Sequence, residues 1–309
     1  MAGVILTIFA VISYIEFIIG NIGNGFIVLV NCNDWFKRRK ISSVDKITIA
    51  LAVSRIGLMW CRFLPQWVSV VPPLSQGTVV MFRTIHIVWT VTNHWNFWLA
   101  TGLSIFYFLK IAIFSNSTFL YLKWRVEKVV SVTLLLSMFI LIFNITRENI
   151  HFAAQYKGYK ENLTLIAWFE ESSHLFKVFL VIDTIFMIIP VTLSLISFLL
   201  LIFSLWRHLR QMQLDVMGSR DASTKAHLRG LQTVVAFLVL ATIFFTSAFL
   251  RKWNRETLEE GLLLRICRSF IMAYPSIHSC VLILVNKKLR KAFLLVLWWL
   301  SCKFKDAER

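Results

Sequence analysis

The residues able to do chemistry in this chain are scattered, and none is grouped for catalysis. The seven histidines include His86 and His94, neither of which has an Asp or Cys at metal-ligand spacing. No GxSxG, HExxH, phosphate-binding Gly-rich loop or paired-carboxylate motif occurs. Cysteines at 32, 61, 267, 280 and 302 make no CxxC or Cys/His pattern, and none lies in the long connection 147–174. No metal, cofactor or catalytic residue is therefore expected. What the sequence offers instead is polar side chains set inside apolar runs: Glu16, Asn24, Arg55, Arg62, Asp183, Arg268 and Ser279. Ionisable groups in such places are costly and usually face the interior of a helix bundle or a water-filled cavity.

The elements that must position them are membrane spans. Of 309 residues, 58% are hydrophobic and only 16% charged, against about a quarter charged in soluble chains. A helical crossing takes roughly 20 apolar residues, and seven apolar stretches are present: 4–30, 44–70, 79–113, 126–146, 175–206, 231–250 and 262–285. The third and fifth exceed one bilayer thickness and are expected to tilt or to project from it. The expected fold class is an all-α membrane protein, a seven-transmembrane helix bundle forming a single domain over 1–309. Its long connections are 147–174 and 207–230, and 286–309 is a basic tail.

Charge fixes the expected orientation. Counted together with the charged span ends that adjoin them, the segments after spans one, three, five and seven hold 21 Lys and Arg against 7 acids, whereas the opposite segments hold 10 against 7. Basic residues accumulate on the cytoplasmic side, so the N-terminus is expected outside and the C-terminus inside. The net charge of +17 is then a topology signal with affinity for anionic inner-leaflet lipid, and nucleic-acid binding is not expected. The first run lacks a basic n-region and is too long for a signal peptide, so it is read as span one. Of three sequons, at Asn116, Asn144 and Asn162, only Asn162 falls outside and clear of the bilayer as a glycan acceptor. Cys302, in the basic tail, could carry an acyl group, although an unmodified thiol is the favoured reading.

Helical rise of about 1.5 Å per residue then gives depths. Asn24, Arg55 and Ser279 all come out about 10–14 Å from the inner boundary, as a latch joining spans one, two and seven; plain interhelical hydrogen bonding explains the same residues. Trp89, Asp183 and Arg268 come out at about 28–36 Å, in the outer third. His86, Trp89, Asn93 and Phe97 share one face of span three, as Arg265, Arg268 and Met272 do on span seven. An aromatic wall with a few convergent polar groups suits an amphipathic small molecule. From composition alone a place in the interfacial aromatic belt is the slightly favoured reading of Trp89, and pairing with each other or with Glu16 accounts equally for Asp183 and Arg62.

Several segments, spread over the whole chain, resemble the type 2 taste receptors, the bitter-sensing family of G-protein-coupled receptors. They include Ile19-Gly20-Asn21 with Asn24-Gly25-Phe26, and Leu51-Ala52-Val53-Ser54-Arg55. Span three carries Trp98-Leu99-Ala100-Thr101-Gly102-Leu103 and Phe106-Tyr107-Phe108-Leu109-Lys110, followed by Phe119-Leu120-Tyr121-Leu122-Lys123-Trp124-Arg125. The later pieces are Ser223-Thr224-Lys225-Ala226-His227, His278-Ser279 and Leu282-Ile283-Leu284-Val285-Asn286-Lys287-Lys288-Leu289. No DRY-type triplet follows span three and no NPxxY follows span seven, which separates the chain from rhodopsin-like receptors.

The resemblance implies a multi-pass plasma-membrane receptor that binds small bitter agonists and activates a heterotrimeric G protein with a gustducin-like or other inhibitory-class Gα. It implies an agonist site at Trp89 and Asn93 on span three with Trp67 on span two opposite and Arg268 at the outer span-seven position; the expected ligand-binding set adds His94, Asp183, Phe249 and Met272. Asn24, Arg55 and Ser279 match the family's polar network. Tyr107, Lys110, His208 and Lys225 match inner positions that couple to the G protein. Three positions depart from the pattern: Arg268 stands where relatives often have Glu or Gln, Phe244 where several have Tyr, and Val191 after Pro190 where many have Phe. A cation at 268 should favour acidic or acceptor-rich ligands over protonated amines. A pheromone-type chemoreceptor has the same architecture, while a secondary transporter is opposed by the odd span count and the lack of inverted repeats.

Overall fold

A computed structural model describes residues 2–38, 41–68, 76–160, 165–215, 222–253 and 261–307. The described residues form nine helices and no strand: α1 (Ala2–Arg38), α2 (Ser43–Val68), α3 (Gln76–Ile111), α4 (Ser117–Trp124), α5 (Val126–Lys160), α6 (Leu165–Asp215), α7 (Ala222–Trp253), α8 (Leu262–Val285) and α9 (Lys287–Ala307). Lipid offers no partner to backbone N–H and C=O groups, so a spanning segment must satisfy them within its own helix. Six described helices contain stretches long and apolar enough to cross a membrane: Thr7–Lys37, Ser43–Leu64, Val126–Ile150, Val178–Gln211, Gly230–Arg251 and Leu262–Val285.

The helix of the expected third span, α3, is 36 residues long but less apolar. The reason is visible in its burial: Thr90, His94, Asn96, Thr101 and Ser104 all face protein rather than surroundings. The fold class is all-α, with seven helices of spanning length. The long spans run further than the apolar pattern suggests. α6 covers 51 residues, about 75 Å of helix, and α5 continues through Lys160. Much of 147–174 and the first part of 207–230 are thus helical, since residues such as Ala153, Ala154, Gln155 and Lys157 propagate a helix once it exists.

Two helices have no counterpart among the apolar runs. In α4, Asn116 caps the N-terminus by accepting from Thr118 N at 2.9 Å, which uses the first sequon asparagine structurally. Asn286 separates α8 from α9 and accepts from Lys288 N at 3.0 Å. In α9, Lys and Arg alternate with Leu, Phe and Trp, the pattern of a helix lying at a membrane interface.

The helices sort into two compact units, Met1–Ile56 with Ala236–Arg309, and Gly57–Val235. In the first, α1 packs along α8, with Ile27, Leu282 and Ile283 buried, and Phe26 meets Phe293 of α9 edge-on. In the second, α3 packs on α5 and α6. A Cβ at Gly57 would lie 2.8 Å from Thr92 Cγ2, so the last turns of α2 approach α3 only because that side chain is missing.

Candidate functional site

Within the first unit the polar residues meet at Ser279. Asn24 donates through Nδ2 to Gly20 O at 2.8 Å, which fixes its amide and leaves Oδ1 to receive Ser279 Oγ at 2.7 Å. The two protons on Arg55 Nη1 serve Ser279 Oγ at 3.1 Å and His278 Nδ1 at 3.0 Å. Arginine has no acceptor, so His278 offers a lone pair at Nδ1 and carries its ring proton on Nε2. Pro275 O also lies 2.7 Å from Ser279 Oγ. One hydroxyl proton therefore chooses between a bond to α1 and a bond within α8. Arg55 is 1% exposed, and Asn24 and Ser279 are fully buried.

Aromatic rings enclose this network. The Arg55 guanidinium lies 5.9 Å from the Tyr274 ring centroid, and Phe244 stacks on Tyr274 at 4.3 Å. His278 is flanked by Phe237 and Tyr274. The depth count anticipated Asn24, Arg55 and Ser279 but not His278 or Tyr274, which lie one residue and five residues before Ser279. Their signal lies in helical spacing: 271, 274, 275, 278, 279 and 282 belong to the buried stripe of α8.

Near the ends of the same unit, Lys288 Nζ is held between Asp34 Oδ2 at 2.9 Å and Asp45 Oδ2 at 3.3 Å. Arg268 and Phe249 are exposed and Met272 is half-buried.

In the second unit, Trp89 and Asn93 are half-buried on α3, and His86 meets Trp89 edge-on at 6.3 Å. His94 is buried on a different face: Nε2 lies 3.2 Å from Ser137 Oγ of α5, and its ring packs on Trp98. Thr101 joins α3 to α6 through Pro190 O at 3.0 Å and Ser194 Oγ at 2.8 Å.

Asp183 of α6 pairs with Arg147 Nη1 of α5 at 3.1 Å, and Arg147 Nη2 reaches Glu148 Oε1 at 2.6 Å. His86 Nδ1 stands 4.0 Å from Glu148 Oε2. Arg147, which stands just beyond the apolar run 126–146, thus answers Asp183 and Glu148 together.

Further along α3, Tyr107 is half-buried and Lys110 exposed, with Lys110 Nζ 5.8 Å from the Phe106 ring. His208 is half-buried on α6. The segment between α3 and α4 is tied down by Ile113 N donating to Ser204 Oγ at 2.8 Å and by Lys123 Nζ donating to Ala112 O at 2.9 Å. The side chains of Trp67 on α2 and Lys225 on α7, and the whole of Asn162, lie outside the described residues.

Residues 1–301 match the family model described as Taste receptor protein (TAS2R). The chain belongs to the taste receptor family. It is 54% identical over 308 residues to taste receptor type 2 member 14 of Homo sapiens, covering 100% of this chain and 96% of that one. The protein of the same name from Papio hamadryas is 53% identical, with 100% and 97% covered. Taste receptor type 2 member 125 of Rattus norvegicus is 49% identical, with 100% and 99% covered.

This taste receptor is a multi-pass plasma-membrane protein and a G-protein-coupled chemosensory receptor of the bitter-sensing kind, not an enzyme. Small-molecule ligands and a G protein are its partners in general terms. Family membership and geometry bear on each other at Phe244. A hydrogen bond from a tyrosine at that position is not open to this chain, and the buried phenyl ring instead stacks on Tyr274 beside Arg55.

Proposed function

We propose that this taste receptor binds a bitter agonist from outside the cell, with Trp89 and Asn93 among its contacts, and relays binding to an inhibitory-class, gustducin-like Gα at Tyr107, Lys110, His208 and Lys225. The observation that supports this most directly is the continuity of α3, which runs unbroken from Gln76 to Ile111. Trp89 and Lys110 stand about 32 Å apart on one helix, so a ligand-borne shift at one end is carried mechanically to the other. Binding then moves a pre-existing equilibrium by the difference in agonist affinity for its two states.

Trp67 and Asp183 in the same unit as α3 are proposed as further agonist contacts, and Phe249, Arg268 and Met272 of the other unit are proposed singly as ligand-sensitive positions. His94 supports the wall through Ser137 and Trp98, and Arg55, Ser279, Asn24 and Phe244 form the element whose proton choice differs between states. The charge asymmetry supports an extracellular N-terminus and a cytoplasmic C-terminus, with α9 resting on anionic lipid and Asn162 carrying a glycan.

Calcium release in cells expressing the receptor with a gustducin-type Gα tests the function. The expected response to bitter compounds disappears when that Gα is omitted; a response independent of any Gα would refute the reading. Trp89→Ala should raise the half-maximal agonist concentration about tenfold, the scale of a lost buried aromatic contact, at normal surface level. Superimposable dose–response curves would remove Trp89 from the site. Arg268→Glu should shift selectivity toward protonated amines and away from carboxylates. An equal loss for all ligand charges would assign Arg268 to the interface instead.

A further inference from the structure

α6 leans on a different neighbour on each side of its proline. Before Pro190, Asp183 pairs with Arg147 and Phe186 packs edge-on against Phe143, both of α5. Beyond it, Ser194 and Ser204 reach α3 and the segment that follows α3. Pro190 itself lies inside the helix. Having no N–H, it leaves the preceding turn one backbone bond short, and the helix bends most easily there.

Thr101 of α3 meets α6 at that point. Its Oγ1 lies 3.0 Å from Phe97 O of its own helix, 3.0 Å from Pro190 O and 2.8 Å from Ser194 Oγ. Both carbonyls only accept, and threonine has one hydroxyl proton. When that proton goes to Pro190 O, Ser194 donates to Thr101 and the two helices share two bonds. When it turns to Phe97 O, one of them remains. Thr101 and Ser194 are 1% and 6% exposed, so the choice is made out of reach of solvent. Ten residues beyond Ser194, Ser204 Oγ receives from Ile113 N at 2.8 Å and lies 3.4 Å from Ile113 O. Ser194, Ser197, Leu201, Ser204 and Leu205 are buried at helical spacing, so one stripe runs through both ties.

We infer that Thr101 is a positioning residue for signalling: together with Ser204 it fastens α6 beyond Pro190 to α3, and this half follows α3 while the half before Pro190 stays with α5. The inference rests on the reading of the chain as an agonist-activated receptor, because His208, proposed to meet the Gα, follows Ser204 by four residues. Thr101 stands about 12 Å along α3 beyond Asn93 and acts through α6, not on the agonist.

Calcium release in cells with a gustducin-type Gα tests it, driven by saturating amounts of a bitter compound to which the parent responds and divided by surface-labelled receptor. Thr101→Val keeps the shape and removes the hydroxyl. Ser194 can then turn to the Pro190 carbonyl of its own helix, so surface receptor is expected near the parent level. The maximal response per receptor should fall about fivefold, within the range that residues remote from a ligand exert on coupling. Thr101→Ser, which keeps the proton, should restore it. Ser194→Ala leaves the bond to Pro190 O and should lose less than Thr101→Val. A merely structural residue would lower surface receptor and spare the response of each molecule. That result, or a loss that Thr101→Ser does not restore, overturns the proposal. If Thr101→Val fails to reach the surface, Ser194→Ala decides: a response per receptor below the parent's supports the tie, and an equal one overturns it. A parent silent to every bitter compound, although present at the surface, refutes the receptor reading and this proposal with it.

Discussion

Ser279→Ala is expected to lower the thermal midpoint of the purified receptor by several degrees and to cut agonist-stimulated signalling per surface receptor by about tenfold. Ser279 both receives from Arg55 and donates to Asn24. Ordinary interhelical hydrogen bonds in membranes average only about 0.6 kcal/mol, which taken alone would make a minor change. The larger effect comes from what is left behind, because a hydrogen bond to a charged group is worth about 1.5–3 kcal/mol. Alanine would strip that bond from a guanidinium that is 1% exposed and that water cannot reach without opening the packing. Ser279→Thr keeps the hydroxyl and should retain most of the midpoint. Measurement of both variants in detergent separates the bond from the side-chain volume, and an alanine variant as stable as the parent would dismiss the latch.

The second large effect is expected at the α5–α6 ion pair, and its ordering is more informative than its size. Arg147→Met should reduce surface receptor more than Asp183→Asn does. The first removes the guanidinium from both Asp183 and Glu148, while the second leaves Arg147 still bonded to Glu148. Breaking a fully buried pair costs about 3–5 kcal/mol. Arg147 and Asp183 side chains are 12% and 28% exposed, so about 2 kcal/mol is expected for Arg147→Met, enough to change cellular abundance several-fold. The double variant Arg147→Met with Asp183→Leu should recover much of that loss, since apolar residues of similar volume replace a buried pair at little cost. Quantitative surface labelling of the three variants checks the ordering. If the double variant is the worst of the three, the pair contributes more than the charges cost to bury.

How far the sequence carried can be judged at particular residues. Asn24, Arg55 and Ser279 were legible because helical rise is constant. Counting from the basic boundary places them at one depth whatever the packing, and the structure joins them through Ser279. Asp183 was not legible in the same way. Its depth was known, but its partner depends on which face of α6 turns toward α5, and that rotation is set by side-chain packing such as Phe143 against Phe186. His94 shows the same limit: adjacent to Asn93 in sequence, it points about 100° away on the helix and ends against Ser137. The helices α4 and α9 are not marked by apolar runs of membrane length, because α4 is only eight residues long and α9 is basic at both ends.

By itself, then, the sequence determined the all-α membrane fold class, the positions of seven helices of spanning length and the taste receptor family. Each of these follows from local quantities: apolar run length, helical period and the identity of residues at fixed spacing. Only the tertiary structure decided that Arg55 shares its protons between Ser279 and His278, that Asp183 takes Arg147, and that Asn144 and Arg147 each keep a buried polar atom in want of a partner. Those are relations between helices. They depend on rotation and register, which many weak packing contacts settle together and no single stretch of sequence encodes.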